Sequence, residues 1–211
     1  MTPESVAALF TRSDGSYLCA RWGRPIAPVV FGVDEATLAV FKGAIEAVVA
    51  LAGHRMSETD PELGANMMVF FCRDWAELTE VPHLDRLVPD LGPLVEKLTA
   101  AEANQYRLFR FDEAGAIRAA FVFLRMDAHL SEVPAETLAL SQAVQTILLW
   151  SDTAFGPGES PLALIDGCAV LRPDIAGVIR AAYDPVMPAV AQDPSHALRL
   201  AARLGSTGRA Q

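Results

Sequence analysis

Basic residues are scarce in this sequence. Of its 211 residues, 17 are Lys or Arg and 26 are Asp or Glu, which gives a formal net charge of -9 at neutral pH. The basic residues are scattered, whereas binding to a phosphate backbone needs clustered Lys and Arg. We therefore expect no sequence-independent binding to nucleic acid.

Long apolar runs are absent as well. One of the longest, residues 116–124, is interrupted by Arg118 and falls well short of the roughly 20 residues that a membrane helix needs. We predict no transmembrane segment. The N-terminus lacks the basic and long apolar regions of a secretory signal, which indicates a cytoplasmic protein if Met1 is native. An envelope or periplasmic location stays open if an export signal was trimmed.

The cysteines and histidines do not show the spacing of metal or redox motifs. Cys19, Cys72 and Cys168 form no Cys-x-x-Cys pair, so neither a zinc knuckle nor a thioredoxin-type motif is indicated. We expect them to be small buried side chains, with one disulfide left open for an oxidising compartment. The four histidines show no i, i+4 pairing. The sequence thus predicts no metal site and no cofactor.

Apolar residues, by contrast, are plentiful. They make up 52% of the chain, which argues against disorder, and the length suits one domain with a substantial core. We predict an irregular lead-in at residues 1–16, a single domain at residues 17–204 and a mobile tail at residues 205–211.

Hydrophobic periodicity changes along the chain between helical and extended. Together the segments predict an α+β fold in which a small mixed sheet packs on helices. The predicted strands are 17–20, 28–31 at a sheet edge, 67–72 in the centre, and a hairpin of 106–111 and 117–126 around the turn at 112–115. The predicted helices are 35–52 with Asp34 as its cap, much of 75–103, 174–183, and a last one after Asp193 that stops at Gly205.

The chain is organised around residues 134–152, which we predict to form one buried helix. Leu140, Val144 and Ile147 recur at helical spacing, so we expect all three in the core. The sheet strands and the helix at 35–52 should pack against this helix.

Four stretches carry a family resemblance, and they lie in the order of the elements just described. They are Arg21 to Ile26, Gly53 to Phe71, Leu140 to Gln145, and Arg172 to Pro185. This order resembles the compact core of zincin-type zinc peptidases. More specifically, the chain resembles a bacterial family of unknown function, often exported, whose domain is a degenerate relative of those peptidases. The resemblance covers most of residues 20–188.

The resemblance implies a lost metal site. Carried over residue by residue, the His-Glu-x-x-His motif of the peptidases puts Ser141 and Gln145 at the ligand positions and Gln142 at the general-base position. A third ligand would fall at Ser151, where only the adjacent Asp152 could bind metal. Neutral amides and hydroxyls are poor zinc ligands, and Gln142 cannot take a proton from a metal-bound water. The resemblance therefore implies a zincin-like core with no metal and no catalytic residue on this face.

Other side chains carry weaker chemical signals. Arg21, Trp22 and Arg24 could form an anion-contacting patch, although Trp with flanking Arg on an edge strand is more often structural. A nucleophile assembled from Cys72 with a distant histidine, His54 or His129, also stays open. The acidic connection between His54 and Gly64 lacks the Asp/Asn-Gly pattern of a calcium loop, so we expect a solvated loop.

These observations predict a non-catalytic zincin-like domain that has lost its zinc site. It would bind an unidentified protein or small-molecule partner, or act as a structural unit. The alternative is a hydrolase, either an unorthodox metallopeptidase or an unrelated enzyme. The zinc content of the purified protein separates the two hypotheses.

Overall fold

The structure, a computed structural model, describes residues 1–156 and 159–207. The helices are α1 Pro3–Ala8, α2 Glu35–Leu51, α3 Leu84–Leu87, α4 Leu91–Ala100, α5 Ala135–Ile147, α6 Pro173–Ala182 and α7 Ser195–Thr207, with 3₁₀ helices at Trp75–Glu80 and Leu130–Glu132. The strands are β1 Cys19–Ala20, β2 Pro28–Phe31, β3 Met67–Cys72, β4 Gln105–Phe111, β5 Ile117–Arg125, β6 Leu162–Ile165, β7 Cys168–Leu171 and β8 Val190–Ala191. The predicted α+β class is confirmed. No helix in the described part of the chain has the length and apolar character to cross a bilayer.

The main sheet has four strands in the order β2-β3-β5-β4. Strands β2, β3 and β5 are parallel, and Val69 of β3 lies between Val30 of β2 and Val122 of β5. Strand β4 joins the edge of the sheet antiparallel to β5, through a turn in which Gly115 has a φ of 83°. The predicted central strand, hairpin and β2 edge are thus confirmed.

Helices cover both faces of this sheet. Alternate residues of a strand point to opposite faces, so Val69 and Val122 pack on the side of α2 and α5. Phe70 and Phe123 point to the other side, toward the 3₁₀ helix at Trp75–Glu80 and helices α3 and α4. The predicted packing of the sheet against α2 and α5 is confirmed.

Helix α5 is shorter than the predicted helix at residues 134–152. It ends at Ile147, and Leu148 is extended, with φ -132° and ψ 158°. The last carbonyls of a helix lack partners within it, and here side chains from distant segments provide them. The indole of Trp22 donates to the carbonyl of Thr146 at 2.8 Å, and the hydroxyl of Tyr183 donates to the carbonyl of Ile147 at 2.8 Å. The chain after α5 therefore leaves as an extended segment that pairs with the region around β1.

The predicted core positions of α5 need one correction. Val144 and Ile147 are buried, but Leu140 is only partly buried at the edge of the core. Leu138 takes its place among the buried residues. The apolar surface of α5 is therefore rotated slightly from the stripe that the sequence predicted.

The N-terminal segment is also more ordered than predicted. Residues 1–16, expected to be irregular, contain α1, which begins with Pro3 and is capped by the hydroxyl of Thr2. Just after α1, the ring of Phe10 stacks on Trp150 with centroids 5.4 Å apart. This contact explains why the segment folds onto the core.

Two further differences lie near the C-terminus. Sequence analysis did not predict the β6–β7 hairpin, whose turn places Asp166 and Gly167 at positive φ. Helix α7 does not stop at Gly205, as predicted, but continues to Thr207. Of the predicted mobile tail, residues 208–211 lie outside the described residues. So do residues 157–158 of the loop expected between α5 and the C-terminal helices.

Candidate functional site

The implied metal face of α5 is filled by an arginine from the neighbouring strand. The guanidinium of Arg107 donates from Nη1 to Oε1 of Gln142 at 2.8 Å and from Nη2 to Oε1 of Gln145 at 2.6 Å. The amide of Gln142 donates to Oε1 of Gln105 at 2.8 Å, and that of Gln145 donates to Oγ of Ser141 at 2.9 Å. All three implied motif positions thus belong to one network, which we call the Arg107 cluster (Gln105, Arg107, Ser141, Gln142 and Gln145).

Two regular periodicities bring these side chains together. Gln105, Arg107 and Phe109 alternate along β4 and therefore share one face of the strand. On α5, Ser141 and Gln145 are four residues apart and are neighbours on the helix surface. Because β4 is the edge strand of the sheet, the two polar rows meet at its rim, where Gln142 is the buried member.

The charge of Arg107 is not neutralised by a carboxylate. Arg107 is partly buried, and none of the ion pairs among the described residues includes it. Burial lowers its pKa to about 10, so the guanidinium stays charged at neutral pH. Its hydrogen-bond acceptors are neutral amide oxygens, which orient the cation without compensating its charge.

Some N–H groups of the Arg107 guanidinium make no hydrogen bond to the described residues. A guanidinium has five N–H groups, and the cluster uses two on Nη1 and one on Nη2. The N–H of Nε and the second N–H of Nη2 have no acceptor within the part of the chain that the structure describes. The cluster is therefore a cation with unused, directed donors.

A crevice of about 320 Å³ opens beside the cluster. Gln105, Arg107 and Gln145 line it, together with Arg12 and Asp152. The remaining lining residues are Tyr106, Phe109, Leu149, Trp150, Ser151 and Phe155. The crevice therefore combines a fixed cation with an aromatic wall.

Asp152, implied as the only metal-binding group near the third ligand position, is engaged elsewhere. Its carboxylate accepts from the backbone N–H and the hydroxyl of Ser13. These hydrogen bonds lower the pKa of Asp152, so it carries a negative charge at neutral pH. Asp152 lines the crevice but does not pair with Arg107.

The residues at this face do not fit a zinc ion. Zinc is held by imidazole, thiolate or carboxylate groups, whereas this face presents amide oxygens already bound to a guanidinium. Among the described residues, no three His, Cys, Asp or Glu side chains lie close enough to hold a metal. A cation supplied by the chain itself occupies the space between the two glutamine side chains.

The patch predicted at Arg21, Trp22 and Arg24 does not exist as a shared surface. Trp22 is 1% exposed, and its indole is hydrogen-bonded to the end of α5. The guanidinium of Arg21 stacks over the ring of Tyr183 at 5.3 Å. Arg24 forms an ion pair with Asp60. The cation–π contact therefore involves Tyr183 and not Trp22.

The acidic connection between His54 and Gly64 is only partly solvated, contrary to prediction. Asp60 is 5% exposed, and its carboxylate accepts hydrogen bonds from the amide of Asn66 and from Arg24. Backbone N–H groups of the same loop also donate to it. The carboxylate therefore organises the loop as a structural acceptor.

The predicted cysteine environments hold for two of the three residues. Cys19 and Cys72 are buried, Cys168 is exposed in the β6–β7 hairpin, and all three are free. The thiol of Cys72 lies 3.7 Å from the carbonyl of Leu124, and burial raises its pKa to about 11. His54 is instead hydrogen-bonded to the carbonyl of Arg24. A buried, protonated thiol does not support the nucleophile hypothesis.

Sequence reasoning missed Arg107, the residue at the centre of the site. Its signal was an arginine at a position of the alternating strand that shares one face with Phe109 and Phe111. A charged residue on a strand face that packs against a helix needs a partner or a function. That argument could have singled it out.

Comparison with known proteins found no match. No family model matches the chain, and neither a curated protein nor a solved structure matches it.

Proposed function

We propose that this chain is a non-catalytic, zincin-like binding domain in which Arg107 has replaced the metal ion and the adjacent crevice receives the ligand. The observation that carries the proposal is the position of the Arg107 guanidinium between the side-chain oxygens of Gln142 and Gln145. These are the positions to which the family resemblance assigns a metal ligand and a general base.

Electrostatics supports the loss of metal. A guanidinium within hydrogen-bond distance of both glutamine oxygens would repel a divalent cation placed among them, and like charges a few Å apart interact strongly in a partly buried site. The glutamine oxygens are also neutral and poor zinc ligands. The side chains themselves therefore support the proposed loss of metal.

The same geometry argues against hydrolysis at this site. Gln142 is 1% exposed and both ends of its amide are hydrogen-bonded, so it has neither the basicity nor the access to activate a water. The hydrolase alternative gains no support from Cys72, which is buried as a protonated thiol.

A binding role is favoured over a purely structural one by the crevice. A buried arginine with a structural role is usually paired with a carboxylate, whereas Arg107 keeps an uncompensated charge beside about 320 Å³ of open space. The order of α2, the sheet with its hairpin, α5 and the C-terminal helices supports the zincin-like assignment, since it is the order on which the resemblance rests.

Metal analysis tests the proposal. The chain is purified without added metal or chelator, and its zinc content is measured by mass spectrometry alongside cleavage of a general peptide substrate. We expect zinc far below one equivalent and no cleavage. Near-stoichiometric zinc together with peptide cleavage, both abolished by Gln142→Ala or Gln145→Ala, would overturn it.

A further inference from the structure

We infer that the crevice beside Arg107 binds a small organic acid that has a single carboxylate and an apolar body. This inference rests on the proposed function and names the ligand class of the same site. Three properties of the crevice lead to it: its charge, its unused donors and its aromatic wall.

The charged residues that line the crevice favour a ligand with one negative charge. Its charged lining residues are Arg12, Arg107 and Asp152, two cations and one anion, which leaves one net positive charge. A monocarboxylate would neutralise this charge. A phosphate dianion would exceed it and would also meet the carboxylate of Asp152, so the lining favours the monoanion.

The donors of Arg107 suit a carboxylate. Its Nε–H and second Nη2–H lack acceptors among the described residues, and guanidinium groups recognise carboxylates through two parallel hydrogen bonds. Gln142 and Gln145 already fix the other side of the guanidinium. The cation is thus oriented before the ligand arrives, which lowers the entropy lost on binding.

The crevice also has a rigid aromatic lining. The indole of Trp150 donates to the carbonyl of Val144 at 2.8 Å, stacks on Phe10 and contacts the edge of Phe155 with ring centroids 5.3 Å apart. Leu149 and Phe109 extend the apolar lining. A wall of this kind contacts an alkyl or aryl body, and a volume of about 320 Å³ is at the small end for ligand sites.

The test uses matched acid and amide probes on the full chain. Thermal unfolding and isothermal titration are measured with 3-phenylpropionate, hexanoate, 3-phenylpropanamide and inorganic phosphate at up to millimolar concentration. We expect the two carboxylates to raise the melting temperature, because a ligand that binds only the folded state stabilises it. The amide and phosphate should bind at least about tenfold more weakly, since each lacks the charge match.

Variants locate the effect. Arg107→Gln should weaken carboxylate binding by roughly 10- to 100-fold. Arg110→Gln is the matched control, because Arg110 lies on the same strand but donates to the carbonyl of Leu87 away from the crevice. Should Arg107→Gln fold poorly, Arg12→Gln on the crevice wall gives a second readout. We expect it to weaken binding by roughly two- to fivefold.

The outcomes distinguish this inference from the proposed function on which it rests. The carboxylate assignment would be overturned by equal binding of acid and amide, by tighter binding of phosphate, or by no binding of either carboxylate. None of these results would contradict the proposed metal-free binding domain. Stoichiometric zinc with peptide cleavage in the same preparation would overturn the proposed function itself. If neither Arg107→Gln nor Arg12→Gln weakens carboxylate binding, the ligand binds outside this crevice. That result would also overturn the inference.

Discussion

Nη2 of Arg107 lies 2.6 Å from Oε1 of Gln145. Through this contact, edge strand β4 places a positive charge against the helix face that carries Ser141, Gln142 and Gln145. Replacing the glutamines with metal ligands would therefore leave a resident cation in the site. We therefore expect that a zinc site can be built on this face only if Arg107 is removed.

The first prediction concerns zinc affinity. The triple variant Ser141→His, Gln142→Glu, Gln145→His should bind zinc weakly, because the guanidinium of Arg107 opposes the divalent ion. Adding Arg107→Ala should increase zinc affinity by at least about tenfold, since a like charge a few Å away is removed. Isothermal titration compares the two variants. Equal affinities would show that Arg107 does not exclude the metal.

The second prediction concerns the core face of α5. Ile147 is 2% exposed, so Ile147→Ala should lower the free energy of unfolding by about 2–5 kcal/mol. Leu140→Ala should lower it by only about 1–2 kcal/mol, because Leu140 is partly exposed and leaves a smaller void. Urea denaturation of both variants tests the order. A larger loss for Leu140→Ala would contradict the observed rotation of the helix.

The elements that the sequence predicted well are those with local signals. Helix α2 has its cap at Asp34 and an apolar stripe from Phe41 to Val49, and the β4–β5 hairpin has Gly115 where a positive φ is required. Such signals lie within a few residues of the structure they specify. Nothing distant was needed to interpret them.

The end of α5 and the centre of the site were not predictable in this way. Leu148 to Trp150 are apolar and suit either a buried helix or a buried extended segment. What decides between them is the capping of α5 by Trp22 and Tyr183, which are far away in sequence. Likewise, helical spacing placed Ser141, Gln142 and Gln145 on one face, but only the strand order brings Arg107 to them.

The third prediction concerns this capping. The hydroxyl of Tyr183 accepts from the backbone N–H of Trp22 at 3.3 Å and donates to the carbonyl of Ile147. Tyr183→Phe would leave both buried backbone groups without this partner, so the free energy of unfolding should fall by about 1–3 kcal/mol. Urea denaturation measures it, with Tyr106→Phe as the matched control on the sheet. Equal losses for the two variants would show that the hydroxyl does not cap α5.

The fourth prediction concerns acid sensitivity and begins from a buried pair at the C-terminal helix. Nδ1 of His196 lies 2.9 Å from the hydroxyl of Tyr17, and His196 is 4% exposed. Its Nε2 has no hydrogen-bond partner within the described residues. Burial, with a smaller contribution from the nearby charge of Arg199, lowers the pKa of His196 to about 4 from an ordinary value of 6.5. The folded protein therefore keeps this imidazole neutral.

The sign of the pH dependence follows from proton binding. Above about pH 6.5, His196 is neutral in both the folded and unfolded states, so its contribution to stability is complete. Between about pH 6.5 and about pH 4, the unfolded chain binds a proton that the folded chain does not. The free energy of unfolding should therefore fall on acidification, by up to about 3 kcal/mol from this group.

Variants separate this histidine from other titrating groups. Burial also lowers the pKa of His54, so the wild type alone would report both residues. Urea midpoints are measured from about pH 7.5 to about pH 4.5, above the range in which most carboxylates titrate. His196→Gln should flatten the decline relative to the wild type, because an amide cannot bind the proton. An unaltered slope in His196→Gln would mean that His196 does not resist protonation in the folded state.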